Sequence, residues 1–127
     1  MKSFSVRTNE HTQFVNITRE VQGAVSELAI KNGIATIFIP HTTAGITINE
    51  NADPDVTEDI QSALERAVPW KMEYRHSEGN AAAHVKASMV GSSVQVIVKD
   101  GRIQLGTWQA IYFCEFDGPR LRSVWVQ

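Results

Sequence analysis

At 127 residues, with 43% hydrophobic and 20% charged side chains, the chain has the size and makeup of one packed domain spanning residues 1–127, and disorder is excluded by composition. A net charge of -2 supplies no global field for a polyanion, so nucleic acid is not an expected partner. Cys114 is the single cysteine, which excludes an intramolecular disulfide, and no apolar run is long enough for a signal-peptide core or a membrane span; no membrane partner and a cytoplasmic location are the expectation.

Phe4 to Arg7, and Phe14 to Ile17 after a polar turn, read as one or two short strands. From Thr18, a plausible N-cap, the period changes: Val21, Ala24, Val25 and Leu28 recur at helical spacing, and the pattern predicts a helix from Arg19 to about Lys31, stopped by Asn32-Gly33. Ile34 to Ile39 is rich in β-branched residues and ends at Pro40, a buried strand that delivers His41 at its carboxyl end. Ile46 and Ile48 mark the next strand. Asp53-Pro54 then opens a second helix, an acidic N-cap followed by proline at the first helical position, with Val56, Ile60, Leu64 and Ala67 expected to face inward and Pro69 ending it. Asn80 to Met89 predicts a shorter third helix after a turn at Gly79. The remainder reads as strands: Val94 to Val98, a Lys99-Asp100-Gly101-Arg102 hairpin, Ile103 to Leu105, Thr107 to Phe116 and Leu121 to Val126. Early helices and late antiparallel hairpins give an α+β class, a twisted sheet covered by two main helices.

No Walker loop, dinucleotide fingerprint, nucleophile elbow or two-histidine zinc helix occurs. Polar residues concentrate instead in two stretches at element ends, His41-Thr42-Thr43 through Asn49-Glu50-Asn51-Ala52-Asp53, and His76-Ser77-Glu78-Gly79-Asn80 through His84-Val85-Lys86. Asn80 and His84, four apart, share a helix face. The helix start beside Gly79 can cradle an anion, or Asn80 can serve only as a cap. His41 alone, at the end of an apolar strand, reads more readily as a structural histidine, but with His76 and His84 it makes three histidines in two polar stretches, which suits acid–base or metal chemistry. His11 is left outside the site. Asp53 can cap its helix or hold a cation, with the cap favoured; Glu50 has no helix start to explain its charge. Lys86 alone reads as a solvated surface charge. Trp108 and Gln109 are expected in core packing and cross-strand pairing, and Cys114 as a small buried hydrophobe.

Read together, several runs resemble the YjbQ-like family of secondary thiamine-phosphate synthases. They are His41-Thr42-Thr43-Ala44-Gly45, Ile48 to Val56, Glu78-Gly79-Asn80, Ala83 to Ser88, Leu105 to Gln109 and Asp117-Gly118-Pro119-Arg120. The resemblance implies an antiparallel sheet curved into a half-barrel, assembly as a homotrimer with polar pockets near subunit boundaries, and a weak secondary synthase reaction. That reaction joins hydroxymethylpyrimidine diphosphate to hydroxyethylthiazole phosphate and releases pyrophosphate. Its chemistry calls for a pocket that stabilises the leaving group. The expected assembly has His41, His76 and His84 as catalytic residues and Thr42, Thr43, Gly79, Asn80 and Lys86 as phosphate contacts. His41, His76, His84, Glu50 and Asp53 are the candidate ligands of a divalent ion, magnesium, manganese or zinc. A metal-dependent phosphoester hydrolase and a non-catalytic phosphate-ligand binding protein are the alternatives.

Overall fold

The computed structural model describes all residues from Met1 to Gln127. In chain order the elements are β1 (Lys2–Arg7), β2 (Gln13–Asn16), α1 (Thr18–Glu27), β3 (Gly33–Phe38), β4 (Ala44–Glu50), α2 (Pro54–Ala67), α3 (Ala81–Val90), β5 (Ser93–Lys99), β6 (Arg102–Gln104), β7 (Gln109–Glu115) and β8 (Leu121–Val126). Every strand pairing is antiparallel, in a five-stranded sheet ordered β1-β8-β3-β5-β6 and a three-stranded sheet ordered β2-β7-β4. The class is α+β, a sheet system curled into a half-barrel and accompanied by three helices.

The two N-terminal strands separate at once: β1 pairs with β8 in the larger sheet, whereas β2 pairs with β7 in the smaller. Both sheets and α1 close on one core, in which Val21 and Val25 of α1 meet Ile37, Ile46, Ile111, Phe113 and Val124. Strand β7 is buried on both faces. Ile111 and Phe113 enter this core, while Ala110, Tyr112 and Cys114 face a second cluster with Ala83 and Ala87 of α3. Period-2 alternation sends successive residues to opposite faces, so the unbroken run Ala110 to Cys114 is the signature of a strand covered twice. Cys114 has no exposure, and burial pushes its thiol well above the ordinary range, which leaves it an uncharged packing group.

Several local expectations are corrected. Helix α1 stops at Glu27, not near Lys31, because Ala29 turns into the left-handed region at φ 56°, a conformation that ends helices. Thr18 lies inside α1 with Ile17 at the cap position; its hydroxyl accepts the Ile111 N–H at 2.9 Å and donates to Asn16 at 2.7 Å, tying α1 to the smaller sheet. Helix α2 begins where Asp53-Pro54 places it, yet none of Val56, Ile60, Leu64 and Ala67 is fully buried and Ala67 is exposed. The inward face of α2 meets only the edge of the second cluster, through Leu64. Trp108, expected in the core, is 63% exposed. The backbone turns there before β7 begins: Gln109 N–H donates to the Gly106 carbonyl at 3.0 Å, and the Gln109 side chain accepts the Gly106 N–H at 2.8 Å. Gln109 itself pairs with Glu50 across β4 and β7. The Asp100-Gly101 hairpin has positive φ at both positions, 51° and 78°, the combination that matches the twist of paired strands.

Candidate functional site

Four of the five buried polar residues, Thr8, Thr43, Glu115 and Arg122, form one cluster. They sit where core-facing rows run out. In β7 the row Ile111, Phe113 continues to Glu115; in β8 the row Val126, Val124 continues to Arg122; beyond β1, Val6 leads to Thr8. Glu115 has no exposure and accepts from Thr8 Oγ1 at 2.8 Å, from Arg122 Nε at 2.9 Å, and from the Asp117 N–H at 3.1 Å. Arg122 Nη2 completes a forked pair with the same carboxylate and also donates to Thr43 Oγ1 at 2.9 Å. Burial pushes the Glu115 carboxyl up, but the bonds from Arg122, Thr8 and Asp117 outweigh it and hold it below the usual carboxylate range. Glu115 is thereby held ionised, while Arg122 uses Nε and Nη2 on the chain and keeps Nη1 for the cavity it lines.

Above this cluster opens a cavity of about 450 Å³ in which every lining side chain except Pro40 is polar or charged. His41, Thr42 and Thr43 enter it from the loop between β3 and β4, His76, Glu78 and Asn80 from the segment before α3, His84 from α3, and Asp117, Arg120 and Arg122 from the β7–β8 connection and β8. The structure thus brings the three sequence-selected histidines to one cavity. The His76 and His84 rings meet edge to face with centroids 5.1 Å apart. His41 Nε2 accepts the Ser123 N–H at 2.9 Å, so the neutral ring carries its proton on Nδ1. Burial and the neighbouring Arg122 guanidinium lower its pKa, which favours that neutral form. His41 is therefore a fixed N–H donor.

Asn80 occupies the cap position of α3 without capping it. Its Nδ2 donates to Asp117 Oδ2 at 3.0 Å, and its buried Oδ1 has no partner in the chain. Asp117 also holds Arg120, whose Nη2 lies 2.9 Å from Oδ2.

Other expected site residues lie elsewhere. Lys86 is neither a surface charge nor a cavity residue: it is 2% exposed, and its ammonium pairs with Glu65 of α2. Two positions along a helix turn the side chain by about 200°, so Lys86 points away from the face that carries His84. Gly79 adopts φ 83° and borders a neighbouring surface hollow with Trp70, Tyr74 and His76. Glu50 and Asp53 are not with the histidines, because β4 carries the chain from Ala44 to Glu50, roughly 20 Å from the strand start beside Thr43. Asp53 Oδ1 accepts the Asp55 N–H at 2.9 Å, the geometry of an N-cap. No three His, Cys, Asp or Glu side chains converge in a manner that could hold a metal ion. His41 has its Nε2 lone pair already engaged. The five residues selected as ligands do not fit a preformed metal cage in one chain.

Arg122 and Glu115 are not among the residues the sequence pointed to, and Asp117 and Arg120 figure there only within the run Asp117-Gly118-Pro119-Arg120 that carries the family resemblance. The available signal was a charged residue continuing a core-facing alternate row, Arg122 with Val124 and Val126, Glu115 with Ile111 and Phe113. A charge in such a row requires a buried partner.

A half-barrel α+β protein with a polar, histidine-lined cavity at the end of its core is the class these features define. The chain belongs to the family described as UPF0047 protein YjbQ-like, which it matches over residues 2–127. It is 52% identical to UPF0047 protein YugU of Bacillus subtilis, over all of this chain and 97% of that protein, and 51% identical to UPF0047 protein MJ1081 of Methanocaldococcus jannaschii, over 98% and 90%. Its fold superposes with a TM-score of 0.97 on the crystal structure of an uncharacterized yjbq/upf0047 family protein from Clostridium acetobutylicum, at 54% identity and covering 100% and 98% of the two chains. For the conserved hypothetical protein TT1486 from Thermus thermophilus the TM-score is 0.93 at 41% identity, with the same coverage. No helix is long and apolar enough to cross a membrane.

Proposed function

We propose that the cavity binds a small phosphorylated ligand and supports, at a low rate, the coupling of hydroxymethylpyrimidine diphosphate to hydroxyethylthiazole phosphate. The observation that carries the ligand class is the convergence of donors: the Arg122 and Arg120 guanidinium groups, the Thr42 and Thr43 hydroxyls, and a neutral His41 held as an Nδ1–H donor. Phosphate oxygens are acceptors only, and charge-assisted N–H bonds to them are the strong ones. The resemblance to secondary thiamine-phosphate synthases supplies the reaction.

In that reaction the bond between the pyrimidine methylene carbon and the diphosphate oxygen breaks, the thiazole nitrogen bonds to the carbon, and pyrophosphate leaves with the electron pair. No proton has to be abstracted. A donor is needed at the leaving oxygens, and His41 with the two arginines meets that need where a basic histidine would not. His76 and His84 line the same cavity as an edge-to-face pair. The unpartnered Oδ1 of Asn80 favours a ligand that also carries an N–H or O–H group.

The assay measures pyrophosphate release from the paired substrates beside hydrolysis of single phosphoesters, each with magnesium, manganese or zinc and with a chelator. Release that requires both substrates and falls in Arg120→Ala and His84→Ala is expected. Phosphate freed from single esters instead establishes the hydrolase alternative; tight binding without turnover establishes a binding protein. Dependence on an added divalent ion would assign it to the substrate's phosphate oxygens, the usual partners of magnesium. Homotrimer assembly belongs to the same proposal and is tested by sedimentation equilibrium, in which a persistent monomer opposes it.

A further inference from the structure

A second cavity, of about 500 Å³, opens between the β1–β2 loop and α2 and shares no lining residue with the histidine pocket. Its walls are His11, Thr12, Gln61, Ser62, Glu65 and Trp70. We propose that it binds a neutral planar heteroaromatic amine, a ring of nucleobase type bearing an exocyclic amino group.

Each wall contributes to that choice. Trp70 is half-buried, and the His11 ring meets it edge to face, centroids 4.4 Å apart at 89°. The indole is thereby held as a fixed aromatic surface, and aromatic surfaces prefer flat or edge-on π partners. His11 in turn is steadied by Thr12, whose Oγ1 lies 3.0 Å from Nδ1. Glu65 is fixed from behind: Oε2 takes the buried Lys86 ammonium and Oε1 accepts the Trp70 backbone N–H at 3.2 Å. A carboxylate has about four lone-pair sites, so two remain as acceptors, and the group is half exposed. The Lys86 bond lowers the Glu65 pKa, so these acceptors persist at neutral pH. Gln61 is anchored by Nε2 to the Thr57 carbonyl at 3.2 Å, which leaves its other amide positions and the Ser62 hydroxyl for donor–acceptor matching to ring nitrogens.

Charge narrows the class further. Glu65 is balanced by Lys86 and no other Asp, Glu, Lys or Arg lines the cavity, so neither a phosphate nor a strong cation finds a counter-charge there. An uncharged ring offering N–H donors to Glu65 and a π face to Trp70 satisfies both. The volume lies in the usual range for small-molecule sites.

The test is a titration of the full protein with cytosine, followed by the indole Nε1–H resonance of Trp70, assigned by its disappearance in Trp70→Phe. Saturable movement with cytosine, and none with benzyl alcohol or inorganic phosphate, is expected. Cytosine affinity measured by isothermal titration calorimetry, which needs no indole reporter, should fall roughly tenfold in Trp70→Leu, the loss of one stacked pair. His11→Ala, at an exposed position, gives the same direction if the leucine variant folds poorly. A static Trp70 signal, an equal response to benzyl alcohol, or unchanged affinity in both variants overturns the proposal. So does loss of binding in His84→Ala, which would put the base in the histidine pocket; unaltered cytosine binding there separates this site from the proposed synthase site.

Discussion

Replacing Glu115 with glutamine preserves shape and removes one charge, and the surroundings set the size of the effect. Glu115 accepts from Thr8, Arg122 and the Asp117 N–H, all donors. A carboxamide presents its own NH₂ to some of them, and Arg122 is left with Thr43 and the cavity as partners. Breaking a buried pair by removing one member costs about 3–5 kcal/mol; Arg122 retains a hydroxyl partner, so the low end, about 3 kcal/mol, applies. With an unfolding entropy of about 2.1 cal/mol/K per residue over 127 residues, that loss lowers Tm by about 11 °C. Urea unfolding followed by far-UV circular dichroism at fixed protein concentration measures it. The double variant Glu115→Leu, Arg122→Met should recover most of the loss, because it removes both charges and their desolvation. The sign with pH also follows. The folded pKa of Glu115 is depressed, so its contribution is present above the ordinary carboxylate range and is lost as pH falls through the lower folded value. His41, depressed by burial and by Arg122, likewise contributes stability above its ordinary value of about 6.5, lost as pH falls through the folded value. Glu115→Gln within about 0.5 kcal/mol of wild type would refute the view that this pair holds the cavity floor.

Three further substitutions test the packing and the helix cap. Trp108→Ala should change stability by less than about 0.5 kcal/mol, since the ring is exposed, whereas Asp53→Ala should cost about 0.5–2 kcal/mol as a lost N-cap; chemical denaturation ranks the two. Gly45→Ala places a Cβ 2.7 Å from the Gly91 carbonyl oxygen and 3.2 Å from Val90, so it should cost about 1–3 kcal/mol by forcing the end of α3 away from β4, read as a Tm decrease.

The helices and strands were largely legible because their signals are local. Asp53-Pro54 starts α2, Asp100-Gly101 makes the hairpin, and β-branched runs become strands. Two failures share one cause. Trp108 reads as core only because the predicted strand Thr107 to Phe116 includes it, yet it falls on the turn at Gly106 to Gln109 before the strand begins, and that turn leaves it in solvent. Ala29 in the left-handed region is a tertiary choice that no propensity scale favours, since its side chain gains nothing locally.

At the site, the sequence by itself determined which polar residues stand at element ends; the expectation of Lys86 as a phosphate contact overlooked the helical period, which turns it about 200° from His84. What it could not determine was which ends meet. His41 follows β3, His84 lies in α3, and Arg122 belongs to the last strand; the order β1-β8-β3 sets Ser123 of β8 beside His41, and the β7–β8 connection returns Glu115 to Arg122. The His41–Ser123 contact spans most of the chain, and strand order is decided by the total burial of both sheets against α1. The state of His41, a donor with its Nε2 engaged, is therefore a property of the tertiary structure alone, because a backbone N–H 82 positions away in the chain fixes its tautomer.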